Sequence, residues 1–257
     1  MTPPLFTGVA VALATLFDAN GELDARATAK HATTLVHLGM RALVVAGSTG
    51  EATTLADAER IELLTEVRQA VPAGIPVLAG TGAPSRRQAV ALTRTAFEHG
   101  ADGVLVLSPP RVEDARPYYQ AVAEAAAARP VLAYHYPLVS PPGIPVDLLA
   151  ELPVQGIKDS SASPDRLLDE VSRYDGWLYV GSSALLVMAG PLGATGAILA
   201  LARVRLLKVL SSTKARAFGW PQPNRATREV PNRSATTAFK PWGKSRLMAR
   251  CALATAS

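Results

Sequence analysis

Apolar and polar positions along the chain alternate between two kinds of segment. The first kind is short, rich in Val, Leu, Ile and Ala, and closed by Gly, Ser, Thr or Pro. Eight such runs occur: GVAVALATLF (8–17), ALVVAG (42–47), PVLAGTG (76–82), GVLVLSP (103–109), PVLAYHYP (130–137), GIKDSS (156–161), WLYVGSS (177–183) and GAILALA (196–202). Runs without polar alternation predict strands buried on both faces, as in a parallel sheet. The second kind lies between them and has helical spacing. In 24–40, Ala27, His31, Leu35 and Leu38 recur every three or four residues; in 55–71, Ile61, Leu63, Leu64 and Val67 form a stripe behind Asp57 and Glu59. Segments 84–99 and 115–128 behave similarly, and Gly39 and Gly100 stand where helices should stop. Eight strands joined by helical crossovers predict one closed (β/α)8 TIM barrel, with a doubly wound open sheet as the alternative.

Composition fits that picture and narrows it. With 257 residues, 49% of them hydrophobic, and mean hydropathy +0.17, the chain can bury a sizeable core and is too apolar to be disordered. No apolar run approaches the roughly 18–20 residues of a membrane helix. The N-terminus lacks a basic segment ahead of its apolar stretch and reads poorly as a signal peptide. A single cysteine, Cys251, excludes an internal disulfide framework and fits a cytoplasmic location.

Charge divides the chain. From Arg203 onward, twelve Lys and Arg face one acid, Glu229, for +11; the preceding residues hold 14 bases and 20 acids, for −6. The expected organisation is therefore a barrel over 1–202 and an atypical basic tail over 203–257. That tail carries Pro221, Pro223, Pro231 and Pro241, and apolar periodicity fades beyond about Lys214. Its isolated basic residues and scattered tryptophans form no recognised nucleic-acid motif, so nucleic acid is not an expected partner.

In a barrel of this kind, reactive side chains collect at the C-terminal strand ends. Three clusters fall there: Gly47-Ser48-Thr49-Gly50-Glu51 after strand two, Tyr134-His135-Tyr136-Pro137 at strand five, and Lys158 in strand six. Glycines let backbone N–H groups approach an anion while the hydroxyls donate hydrogen bonds. A lysine inside a barrel is costly as an ammonium, and a neutral amine is the nucleophile that attacks a ketone. Each cluster alone has a plainer reading: a solvated lysine, loop punctuation, a core tyrosine. Their coincidence at one barrel mouth favours chemistry. The histidines His31, His37, His99 and His135 lack H-x-H or H-E-x-x-H spacing, so no metal is expected.

The spacing from GSTGE (47–51) through YHYP (134–137) and GIKD (156–159) to GSS (181–183) and GATGAILALA (193–202) resembles the dihydrodipicolinate synthase/N-acetylneuraminate lyase superfamily over roughly residues 5–204. The resemblance implies that Lys158 forms an imine with pyruvate or another 2-oxo acid, that Tyr134 shuttles protons, and that Ser48 and Thr49 hydrogen-bond the substrate carboxylate and the tyrosine. It implies that the backbone around Gly47 and Gly50 assists, that Gly181 and Ile198 line the pyruvate pocket, that no cofactor is needed, and that the barrel is a homo-oligomer. Two departures bear on the substrate. Strand four ends Ser108-Pro109-Pro110-Arg111, without the tyrosine pair of the synthases, and 134–140 lacks their arginine. A lyase or aldolase for a hydroxylated 2-oxo acid is expected, with His135 and Tyr136 as contacts to its polyol, a packing role being the equal alternative for Tyr136. The alternatives are 4-hydroxy-tetrahydrodipicolinate synthase or a catalytically impaired relative. The third departure is the tail itself, expected to replace the family's C-terminal helices after a loss of reading frame near Arg203.

Overall fold

The computed structural model describes residues 3–200. Eight parallel strands close into a barrel in sequence order: β1 (Gly8–Ala12), β2 (Ala42–Val45), β3 (Val77–Gly80), β4 (Gly103–Leu107), β5 (Val131–His135), β6 (Gly156–Asp159), β7 (Trp177–Val180) and β8 (Gly196–Leu199). Each expected run contains its strand, and the open-sheet alternative fails because β8 pairs with β1, Gly8 opposite Gly196 and Ala10 opposite Ile198. The expected basic tail, its boundary at 202/203 and the replaced C-terminal helices lie outside the described residues.

Seven helices are described among the crossovers: α1 (Ala25–His37), α2 (Asp57–Ala70), α3 (Arg86–Glu98), α4 (Arg116–Ala126), α5 (Val146–Leu149), α6 (Pro164–Arg173) and α7 (Leu186–Ala189). Side-chain caps start three of them. Asp24 Oδ1 accepts from Ala27 N at 2.8 Å, Ser85 Oγ from Gln88 N at 3.2 Å, and Ser163 Oγ from Arg166 N at 3.2 Å. Gly39 and Gly100, at φ +98° and +90°, stand just beyond α1 and α3, where the chain must turn left-handed. The crossovers after β5 and β7 contain only four-residue helices, α5 and α7. The α1 stripe also differs from expectation. Ala25, Thr28, Ala29, Ala32 and Leu35 are buried, while Ala27, His31 and Leu38 are half-buried, because the small residues let the helix approach closely.

Pleat alternation divides the core into two layers. Odd-face residues such as Val9, Leu43, Val104, Ala133 and Ile157 pack outward against the helices. Inside the barrel lie Ala10, Ala12, Val44, Leu78, Leu105, Leu132, Tyr134, Tyr179 and Ile198. The floor is closed by residues that precede β1. Phe6 stacks on Tyr179 with ring centroids 4.5 Å apart, Tyr179 Oη donates to Phe6 O at 2.9 Å, and Leu5 reaches Gly103 at the start of β4.

Candidate active site

Lys158 is the third residue of β6, and its two register neighbours are both tyrosines, Tyr134 on β5 and Tyr179 on β7. Its side chain is enclosed, at 4% exposure, with Nζ 4.1 Å from the centroid of the Tyr134 ring. An ammonium held there faces the ring's negative π surface, which offsets part of its lost hydration. Nζ stands over the ring face and not at the hydroxyl. Tyr134 in turn stacks on Tyr136, with centroids 5.8 Å apart and an interplanar angle of 22°. Lys158, Tyr134 and Ile198 thus share the barrel interior, as the sequence suggested; Ile198 is fully buried within the same interior cluster.

The turn after β2 forms at the same end of the barrel. Ser48–Gly50 make one 3₁₀ turn, closed by Gly50 N donating to Gly47 O at 3.0 Å, with Glu51 in the left-handed region at φ 54°. Ser48 is exposed and Thr49 half-buried. Among the described residues neither hydroxyl is hydrogen-bonded to Tyr134. Two side chains not singled out in the sequence hold the turn. Thr15 Oγ1 donates to Gly50 O at 2.7 Å, and Arg60 donates to Ala52 O and, at 3.2 Å, to Gly80 O. Burial holds the Arg60 guanidinium below its usual pKa, with Asp57 partly opposing. Gly50 is required because a Cβ would stand 2.8 Å from Leu13 O.

Gly181 follows β7 and donates its N–H to Asp159 O at 2.6 Å. A Cβ here would lie 2.0 Å from Ser160 Oγ, which places the Ser160 hydroxyl beside the backbone of Gly181. Ser160 is two residues beyond Lys158 and so falls on the same face of the strand direction. Period-two reading from Lys158 was the signal that could have singled it out. Ser108, at the end of β4, is a second such residue: buried, with its Oγ without a hydrogen bond among the described residues. The loops after β4 and β5 are stitched above it, by Ser140 Oγ to Ser108 O at 2.6 Å and Arg111 N to Pro141 O at 2.7 Å. Arg111 itself sits at φ 60° and is exposed.

His135 corrects an expectation. It alternates with Tyr134 and so leaves the barrel interior for the helix side, opposite Asp159 in register. Its Nδ1 accepts the Ile144 N–H at 2.8 Å. Burial, aided by the Arg166 charge, lowers its pKa to about 3, so the ring is neutral. A polyol bound at the mouth is therefore out of its reach. No group of three or more His, Cys, Asp or Glu among the described residues is arranged to hold a metal ion, and no described helix is long and apolar enough to cross a membrane.

Comparison with known proteins gives a consistent set of likenesses. The model of the "Dihydrodipicolinate synthetase family" matches residues 5–212. A 4-hydroxy-tetrahydrodipicolinate synthase of Synechococcus sp. (strain WH7803) is 43% identical over 141 residues, covering 53% of this chain and 47% of that protein. The chain thus spans about half the length of that relative. The enzyme of the same name from Pseudomonas aeruginosa PAO1 is 37% identical over 210 residues, 78% of this chain and 72% of that protein. Among solved structures, YagE, a prophage protein of the dihydrodipicolinic acid synthase family from E. coli K12 determined in complex with pyruvate, has a TM-score of 0.72 at 30% identity, covering 76% of this chain and 70% of that one.

Proposed function

The chain belongs to the dihydrodipicolinate synthetase family, and from that premise we propose that it is a class I aldolase or lyase whose Lys158 forms a Schiff base with pyruvate or a related 2-oxo acid. The observation that carries this reading is the enclosed Lys158 amine 4.1 Å above the Tyr134 ring, at the C-terminal end of a closed barrel.

In the cleavage direction, the amine adds to the keto carbon and the carbinolamine loses water. The protonated imine then draws in the electron pair of the breaking carbon–carbon bond. An aldehyde departs, the enamine takes up a proton, and hydrolysis frees the 2-oxo acid and Lys158. Tyr134 is the acid–base group that moves these protons. Thr49 and Ser48, with the N–H groups of their turn and the backbone of Gly47 and Gly50, bind the substrate carboxylate. Gly181 and Ile198 bound the 2-oxo acid, and no cofactor takes part.

Two features of the sequence support a substrate class. A strand-four end of Ser108-Pro109-Pro110-Arg111 and the absence of arginine from 134–140 speak for a hydroxylated 2-oxo acid, such as a 2-keto-3-deoxy sugar acid or 4-hydroxy-2-oxoglutarate. The relatives' names favour a second reading, 4-hydroxy-tetrahydrodipicolinate synthase. Borohydride reduction with pyruvate followed by peptide mass spectrometry tests the common step: an adduct on Lys158 is expected, and folded protein without one refutes it. Cleavage assays on a panel of hydroxylated 2-oxo acids, beside condensation of pyruvate with aspartate semialdehyde, then separate the two substrates. A homo-oligomer in the cytoplasm, acting on small molecules alone, completes the proposal, and sedimentation checks the assembly.

A further inference from the structure

Immediately behind Lys158, on the opposite face of β6, the structure buries two carboxyl side chains beside a half-buried arginine, none of which the proposed chemistry uses. Asp159 is 1% exposed and Glu170 fully buried, and both approach the guanidinium of Arg166 on α6. Arg166 Nε lies 2.8 Å from Glu170 Oε1 and 3.8 Å from Asp159 Oδ1. Asp159 also takes both donors of Ser161: the backbone N–H at 2.7 Å on Oδ1 and the hydroxyl at 2.8 Å on Oδ2. The neighbouring ring, His135 on β5, adds no positive charge because it is neutral.

As a device for stability this cluster is poor. Desolvating ions costs more than their attraction commonly returns, and apolar side chains of similar volume would do as well or better. Beyond that ion pair, Glu170 Oε1 and Oε2, and Arg166 Nε and Nη2, take part in no further hydrogen bond among the described residues. What the cluster does provide is a fixed end to a strand. β6 stops at Asp159, and the chain beyond it turns through Ala162 at φ 59°. Lys158 and Asp159 are adjacent, so a backbone shift that follows the Asp159 carboxylate also moves the residue from which the lysine projects.

We propose that Asp159, clamped by Ser161 and by the Arg166–Glu170 pair, is a positioning residue that sets the height and direction of the Lys158 amine over Tyr134. Through the lysine, it acts on imine formation and not on substrate affinity. The proposal rests on the Schiff-base reading of Lys158, and its test keeps the two apart. Asp159→Asn preserves shape and the capacity to accept from Ser161 N–H while removing the charge that Arg166 attracts.

In the full-length chain, Asp159→Asn is expected to slow pyruvate-dependent borohydride trapping at Lys158 about tenfold, with half-saturating pyruvate changed less than about twofold. A merely structural role would lower the unfolding midpoint and leave the trapping rate of the folded protein alone; that result overturns the proposal. A second readout needs no pyruvate. Competitive acetylation with trace acetic anhydride should label Lys158 at least about threefold more slowly in the variant, relative to an exposed lysine, Lys30. An unchanged labelling rate overturns the proposal even if pyruvate forms no adduct with the parent chain. Should Asp159→Asn not fold, Ser161→Ala removes the hydroxyl donor to Oδ2, along with the Oγ that accepts the Ser163 N–H at 3.2 Å. It is expected to slow labelling or trapping in the same direction by about threefold, and parental rates there count equally against the clamp.

Discussion

One side chain at the mouth can be tested by a change of a single atom. Tyr134→Phe keeps the ring face beneath Nζ and deletes only the hydroxyl. If Tyr134 moves protons, turnover should fall by about 10²–10⁴-fold, while slow trapping of pyruvate at Lys158 persists. Turnover within threefold of the parent would remove the tyrosine from proton transfer. Tyr134 and Lys158 were legible in the sequence because each interrupts an apolar strand with a reactive group near its C-terminal end. Ser160 was not, although it follows Lys158 by two, since serines in an Asp-Ser-Ser context read first as turn residues. His135 was misplaced for the opposite reason: adjacency to Tyr134 suggested a shared site, whereas adjacent strand residues face opposite layers. Asp159, Arg166 and Glu170 are separated in sequence by a turn, and only the packing of α6 on β6 brings them together.

Among elements, the β6–β7 seam leaves little room for a side chain. At Gly181 an added Cβ would meet Ser160 Oγ at 2.0 Å and Asp159 O at 2.8 Å. Gly181→Ala should therefore destabilise the fold by about 1–3 kcal/mol in urea unfolding, and adding Ser160→Gly should recover only part of that loss. The remainder is the backbone clash with Asp159 O, which no side-chain change relieves. Full recovery in the double variant would show that the strands separate freely here. At α1, Asp24→Ala removes the N-cap acceptor of Ala27 N–H and should cost about 1 kcal/mol. The strands were readable as elements because burial on both faces leaves an apolar run with no polar alternation. The α1 face was not, because Ala25, Ala29 and Ala32 carry too little side chain to mark a stripe against the bulkier Leu38.

At the scale of the molecule, two buried groups tie stability to pH with opposite signs. Burial first, and then the Asp159 carboxylate, push Glu170 up to about 8 against the attraction of Arg166; Asp169 adds to the rise, and the nearby Tyr174 phenol is itself pushed up by burial and by Glu170. A folded-state pKa above the unfolded one favours folding while the group is protonated. That contribution is complete below the ordinary carboxylate range near 4.5 and is lost as pH rises towards 8. His135 acts the other way. Its folded pKa near 3 lies below the ordinary 6.5, so its contribution is complete above 6.5 and lost on acidification towards 3. Between pH 5 and 8 the unfolding free energy of the parent should therefore fall relative to that of Glu170→Gln, measured by urea titration at each pH. A constant difference would mean that Glu170 does not titrate in that interval. The barrel as a whole was legible because its eight runs are so regular; no such regularity in the sequence foretold how a charged cluster would bias its stability.

The plug formed by Leu5 and Phe6 has a kinetic consequence. With Phe6 stacked on Tyr179 beneath the strand that neighbours Lys158, the described residues make the barrel a blind alley with a single door. Traffic through one door is last in, first out. A 2-oxo acid seated on Lys158 blocks nothing behind it, whereas the second fragment, held nearer the entrance, must leave before it. Cleavage should thus release the aldehyde first and the 2-oxo acid second. Product-inhibition kinetics would record that order as competitive inhibition by the 2-oxo acid and noncompetitive inhibition by the aldehyde, and the reverse pattern would mean that the floor opens.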